Sequence, residues 1–245
     1  MAKRMLCLAA LLAWAFLPAL RAEEDKDAEA KAKIPGLKLW LKLDETEGKK
    51  AKNSVEKGVD VEVEGAKWAK EGKSGGALSF NGQSDYILTA ASMNEAFGDG
   101  NITIAVWINP KGGGVVADEL GQHALNEGWH DSQIELMDDG EVKVRVWELE
   151  GLSAGKVKMN EWHHVVVRYD VKSSTLDGFV DGVKSADKIT GEKQWNNGGE
   201  IFYAFGCEDS TNLGQGGYFK GLMDDIRIYN RALTEAEVKV LAGAK

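Results

Sequence analysis

Three groupings of side chains in this sequence carry enough chemistry to be candidate sites. In Asp60-Val61-Glu62-Val63-Glu64 the carboxylates stand at i, i+2 and i+4, and on an extended strand they share one face. Glycoside hydrolysis needs two carboxylates across the scissile bond, one with a raised pKa. Here the strand contains no aromatic residue and Lys57, Lys67 and Lys70 flank it. The pattern therefore reads first as a solvated face opposite Val59, Val61 and Val63. Glu148 and Glu150, after Trp147, form a second and weaker pair.

The second grouping suits a hard cation. Calcium takes six to eight oxygens from carboxylates, amides and backbone carbonyls. Asn81-Gly82-Gln83-Ser84-Asp85 offers such oxygens within one turn, and Asp224 and Asp225 lie together near the end of the chain. The third grouping suits a sugar, which stacks on a flat aromatic ring with polar side chains around it. Trp129 in Asn126-Glu127-Gly128-Trp129-His130 and Trp195 in Gln194-Trp195-Asn196-Asn197-Gly198-Gly199 both pair an indole with hydrogen-bonding neighbours. Trp129, Trp195, Asn196 and Asn197 are the candidate ligand residues; the competing reading is that these tryptophans only cover edges of the core. Nucleophilic chemistry finds less support, since the sequence has no Gly-x-Ser-x-Gly elbow. Of the four histidines, His163 and His164 are adjacent, point to opposite faces of a strand and cannot share a metal. One is expected to be packed and the other exposed. His123 and His130 lie in a Gly-rich stretch without helical spacing.

The elements that must position these residues are mostly strands. Leu37, Leu39, Leu41 and Leu43 alternate with Lys38, Trp40, Lys42 and Asp44, and Val59, Val61 and Val63 alternate with acids. Strand-like runs follow at 77–80, 86–89, 101–109, 133–137, 141–147, 162–169, 175–180, 201–205 and 218–229. Asn81-Gly82, Asp139-Gly140 and Asp181-Gly182 are turn signals between them. One helix is predicted at the end, where Thr234-Glu235-Ala236-Glu237 makes a capping box and Ala236, Val240 and Leu241 an apolar stripe. A single turn is expected at 93–97. Many short strands with almost no helix predict an all-β, two-sheet antiparallel sandwich with a short C-terminal helix.

The first 22 residues stand apart. Lys3 and Arg4 precede an apolar run from Met5 to Leu17, and Ala22 leads into Glu23-Glu24. This is the pattern of a cleaved signal peptide over 1–22, which predicts a secreted or periplasmic protein. Residues 23–35 are charged, alanine-rich and free of aromatics, a flexible linker to a domain over 36–245. No other stretch reaches the length of a membrane span. Without the leader the chain carries 27 basic residues (30 less Lys3, Arg4 and Arg21) against 39 acidic ones. That balance excludes the basic footprint of a nucleic-acid binder. Cleavage also leaves Cys207 as the sole cysteine, so no internal disulfide is expected.

Two blocks then fall into a recognisable order. Gly75-Gly76-Ala77-Leu78-Ser79-Phe80-Asn81-Gly82 with Asp85-Tyr86 comes first. Gly217-Tyr218-Phe219-Lys220-Gly221-Leu222-Met223-Asp224-Asp225-Ile226-Arg227-Ile228-Tyr229-Asn230-Arg231-Ala232-Leu233-Thr234 closes the chain. Ile104-Ala105-Val106-Trp107-Ile108, Trp162-His163-His164-Val165-Val166-Val167-Arg168-Tyr169-Asp170 and Phe179-Val180-Asp181-Gly182 lie between. Together they resemble the bacterial laminin G-like, concanavalin A-like jelly-roll domains over residues 36–243. The resemblance implies that the first and last strands lie side by side, and that Trp40, Trp68, Trp107 and Trp162 serve packing. It also implies a calcium site drawn from Asn81, Asp85 and one of Asp224 or Asp225. The function expected is a secreted non-catalytic module that binds carbohydrate or an extracellular protein or glycan. The alternatives are a structural or adhesive cell-envelope protein and a glycoside hydrolase of the same fold.

Overall fold

The computed structural model describes residues 33–97, 100–147, 149–192, 199–207 and 213–243. In chain order its strands are β1 (Leu37–Leu41), β2 (Lys50–Ala51), β3 (Val61–Glu64), β4 (Lys67–Ala69), β5 (Ala77–Asn81), β6 (Tyr86–Thr89), β7 (Ile102–Gly112), β8 (Gly114–Leu120) and β9 (His130–Leu136). They continue with β10 (Glu141–Val144), β11 (Leu152–Lys156), β12 (His163–Asp170), β13 (Thr175–Val180), β14 (Val183–Lys184), β15 (Ile189–Thr190), β16 (Phe202–Phe205) and β17 (Lys220–Tyr229). A 3₁₀ turn occupies Asn94–Ala96, and helix α1 (Glu235–Leu241) follows β17.

The strands form two antiparallel sheets. One runs β14-β13-β12-β7-β17-β5-β4, with β1 also on β17 and β15 on β13; the other runs β11-β10-β9-β8-β16-β6-β3-β2. The first and last strands do lie side by side, Leu41 opposite Ile226. Alternation decides which side chains fill the space between the sheets. Leu39, Leu41, Val61, Val63, Ile104, Val106, Ile108, Val165 and Val167 all enter the main core, as period-two strands with one buried face require.

The same parity carries Trp40 and Trp107 away from that core. They lie on the outer face of the first sheet, opposite in register to Arg227 and His164 respectively. Only Trp68 of the four tryptophans expected to pack joins the main core, and its Nε1–H donates to the Gly48 carbonyl at 2.9 Å. His163 and His164 point to opposite faces as expected, yet both are buried. His164 packs on Trp107 with ring centroids 5.2 Å apart, while His163 Nδ1 meets Asp181 Oδ2 at 2.7 Å. The expectation of one exposed histidine is therefore corrected: the outer face of this strand is itself covered.

Helix α1 starts at the predicted cap, with Glu237 N–H on Thr234 Oγ1 and the Glu237 side chain returning to the Thr234 amide. Its buried stripe is Val238 and Leu241, not Ala236 and Val240. The helix sits on the outer face of the first sheet with Ala105, Val166, Phe179 and Tyr229, and Ile34 joins it from before β1. Among the described residues no helix is long and apolar enough to cross a membrane. The sequence pattern gave no sign of β8, whose seven residues are all buried, including Asp118 and Glu119. A strand covered on both faces loses its alternation.

Candidate functional site

The loop between β8 and β9 positions Trp129. Gly121 N–H donates to the Trp129 carbonyl at 2.9 Å and closes the loop at its base. Asn126 and Gly128 take positive φ, 58° and 71°, to turn the chain back. Gly121 is required for a second reason: a Cβ there would collide with the indole nitrogen of Trp129. The indole is thereby set against Trp147, which follows β10, with ring centroids 4.5 Å apart and planes tilted by 57°. Both rings are partly exposed.

Behind the pair lies a polar network in the end of the core. Glu119 on β8 stands opposite Asp131 on β9 and Tyr203 on β16. Its Oε1 accepts from Trp147 Nε1–H at 2.7 Å, and its Oε2 accepts from Tyr203 O–H at 2.6 Å and from Gln133 Nε2–H at 3.0 Å. Asp131 Oδ2 accepts from the Trp147 amide at 2.8 Å, and its Oδ1 lies 3.0 Å from Arg145 Nε. Burial and the neighbouring Glu119 charge push the Tyr203 phenol well above its ordinary value, so it remains a donor. Held by Tyr203 and Gln133, the Glu119 carboxylate is a fixed acceptor that locks the Trp147 ring in place, and a pre-ordered ring loses little entropy on binding.

A second carboxylate on the same strands holds a loop. Burial alone would raise the Glu135 pKa, but Ser132 Oγ–H and the amides of Gln215, Gly216 and Leu213 together lower it. Residues 213–216 are thus tied to β9.

The other predicted site residues are placed differently. Trp195, Asn196 and Asn197 fall outside the described residues, as does Glu148. Glu62 and Glu64 point away from buried Val61 and Val63, toward solvent. Asn81 and Asp85 do come together, but on each other. Asn81 N–H and Nδ2–H donate to the two oxygens of Asp85 at 2.9 and 2.8 Å, and Asn81 Oδ1 accepts the amides of Gln83 and Ser84. Asn81 is paired with Lys220, whereas Asp224 is paired with Trp107 four residues further along β17, about 13 Å away at strand rise. Asp225 sits in a bulge at φ 45° and binds Trp40 Nε1 at 2.6 Å and Arg227 Nε at 2.8 Å. Asp224 accepts the Ser74 amide at 2.9 Å. Burial pushes its carboxyl up to about 7, and the Asp225 charge adds to the rise. These four residues form two separate hydrogen-bonded pairs and do not fit a shared calcium site. Among the described residues no three His, Cys, Asp or Glu side chains converge as a metal site.

Sequence reasoning found Trp129 but not Trp147 or Glu119 as its partners. The available signal was two acids inside the apolar run Val115-Val116-Ala117-Asp118-Glu119-Leu120, an arrangement that asks what satisfies them.

Comparison with known proteins bears on this geometry. A laminin G family model, described as concanavalin A-like lectin/glucanases superfamily, matches residues 81–239, more than half of the chain. No curated protein matches the sequence. Among solved structures, domain 4 of AbnA, a GH43 extracellular arabinanase from Geobacillus stearothermophilus, in complex with arabinotriose, is 18% identical with a TM-score of 0.61; the match covers 84% of this chain and 98% of that one. Trypanosoma rangeli sialidase is 17% identical with a TM-score of 0.61, covering 93% of this chain and 38% of its own. The binding domain of botulinum neurotoxin DC, in complex with SialylT, is 12% identical with a TM-score of 0.59, covering 86% and 52%. At these identities the likeness is one of fold.

Proposed function

Because this chain belongs to the laminin G-like family of the concanavalin A-like lectin/glucanase superfamily, we propose that it is a non-catalytic carbohydrate-binding module whose ligand seats on the Trp129–Trp147 pair. The observation that carries this reading is the pair itself. Two partly exposed indoles meet at 4.5 Å on a turn, and one of them is locked from behind by Glu119. Flat rings with fixed orientation and polar loop residues beside them are what sugar recognition uses. Solved structures of the same fold named with arabinotriose and with SialylT support a glycan as the ligand class. Hydrolysis is the weaker reading. Glu119 and Asp131 face each other but are buried and committed to Trp147, Tyr203, Gln133 and Arg145. Export through residues 1–22 completes the proposal, with a mature chain beginning at Glu23.

The test is a polysaccharide pull-down with the secreted chain, its start checked by intact mass. Trp129→Ala and Trp147→Ala should each weaken retention by about tenfold or more while the fold persists. Unchanged retention in both variants removes the site, and reducing sugar released from a retained polysaccharide favours the hydrolase.

A further inference from the structure

Among the described residues two indoles donate their N–H to a carboxylate: Trp40 to Asp225 Oδ1 at 2.6 Å, and Trp147 to Glu119 Oε1 at 2.7 Å. Negative charge at the N–H edge polarises the ring and makes its face more attractive to cations. At Trp40 the chain supplies those cations. The Arg227 guanidinium lies 4.3 Å from the ring centroid and Lys42 Nζ 4.5 Å. Trp107 likewise carries Lys73 Nζ at 4.2 Å.

Over Trp147 no cation lies among the described residues. Trp40, Trp107 and Phe179 each carry a cation. Arg145, the cation of the network behind Trp147, has its Nε on Asp131. Glu119 forms no ion pair among the described residues, and Gln133 Oε1 is buried there without a hydrogen-bond partner. Glu127 and Glu150 are exposed on the adjoining loops, and the chain as a whole carries a net charge of −9. An anionic sugar would approach this pair against the field.

Resting on the carbohydrate-binding reading, we infer that the Trp129–Trp147 pair takes an amino sugar with a free ammonium group, which occupies the cation position that Arg227 and Lys42 fill at Trp40. The C–H face of the pyranose stacks on one indole, and the ammonium lies against the carboxylate-polarised ring of Trp147.

Oligosaccharides that differ only at this group decide the matter. The purified full chain is titrated calorimetrically with β-1,4-linked glucosamine oligomers, N-acetylglucosamine oligomers of equal length and a uronic-acid oligomer, at about 20 mM and about 500 mM salt. The glucosamine oligomer should bind about tenfold tighter than its acetylated counterpart at low salt, and the gap should narrow at high salt. Trp147→Phe keeps an aromatic face but loses the N–H to Glu119. It should shrink the gap to about threefold or less, the glucosamine oligomer losing more affinity than the acetylated one. If that variant does not fold, the salt series on the native chain decides alone. Equal affinity for the two oligomers, or tighter binding of the uronic acid, overturns the inference and leaves the carbohydrate reading standing. Failure of every glycan to bind removes the carbohydrate reading itself. Binding of an oligolysine peptide with no glucosamine binding overturns the inference in favour of a basic protein segment.

Discussion

Trp40 and Trp147 stand on different sheets yet begin from the same chemistry, an indole N–H on a carboxylate. Around Trp40 the sheet closes the arrangement. Asp225 is shared with Arg227, and Arg227 and Lys42 lie over the ring. Around Trp147 the carboxylate is shared only with neutral donors, Tyr203 and Gln133, and the ring meets Trp129. The difference follows from position. Trp40 lies within a ladder, where β17 places Arg227 directly opposite it. Trp147 lies beyond the end of β10, where the strands alongside supply carboxylates, Glu119 and Asp131, and none of the described residues places a cation over the ring. One arrangement pairs its ring with cations of its own sheet; the other pairs its ring with a second indole.

The largest effect should separate the two carboxylates. Asp225→Ala leaves a buried guanidinium without its partner, which costs about 3–5 kcal/mol. Glu119→Ala leaves three neutral donors, at a cost of about 2–3 kcal/mol. Urea denaturation of both variants checks the order, and a greater loss in Glu119→Ala would break the comparison.

A slightly smaller effect comes from Asp224, beside the Trp40 cluster. Its carboxyl is raised from 3.8 to about 7 by burial, so the folded state holds the proton more tightly than the unfolded chain does. The stability it confers is complete below about pH 4 and is lost as pH rises to about 7, amounting to no more than about 4 kcal/mol. The Asp225 charge adds to the rise, and the backbone amides of Ser74, Asp225 and Lys73 oppose it. Denaturant unfolding at pH 5 and pH 8 should show the native chain weaker at pH 8, and Asp224→Asn should flatten the difference.

The smallest effect sharpens the comparison at Trp40. Lys42→Ala removes an exposed cation from one ring face and should cost about 0.5–1 kcal/mol, read as a small drop in Tm. No loss would mean that Arg227 alone satisfies that ring.

Much of this architecture was legible in local pattern. The alternation of Leu39, Leu41 and Leu43 set the buried face of β1, and with it the outward turn of Trp40, whereas Leu37, past a register shift, packs in the outer-face cluster beside α1. The capping box set the start of α1 at Thr234. Asn81-Gly82 marked a turn, and the Asn81 polar atoms close on Asp85. The terminal motif implied a last strand beside the first, and the register of Leu41 with Ile226 bears this out.

What the sequence by itself determined is therefore the face taken by residues of the alternating strands, the start of the helix, the family, and the presence of a loop tryptophan beside polar neighbours. Only the tertiary structure decided that Trp129 meets Trp147, that Glu119 stands behind them, and that Tyr203 completes the set. The physical reason is sequence distance. Period two says which side of a strand a residue occupies but not which strand lies alongside. Glu119 reaches Trp147 across 28 residues and Tyr203 across 84. Those neighbours exist because β8 pairs with β16 as well as β9, and no local propensity encodes that order.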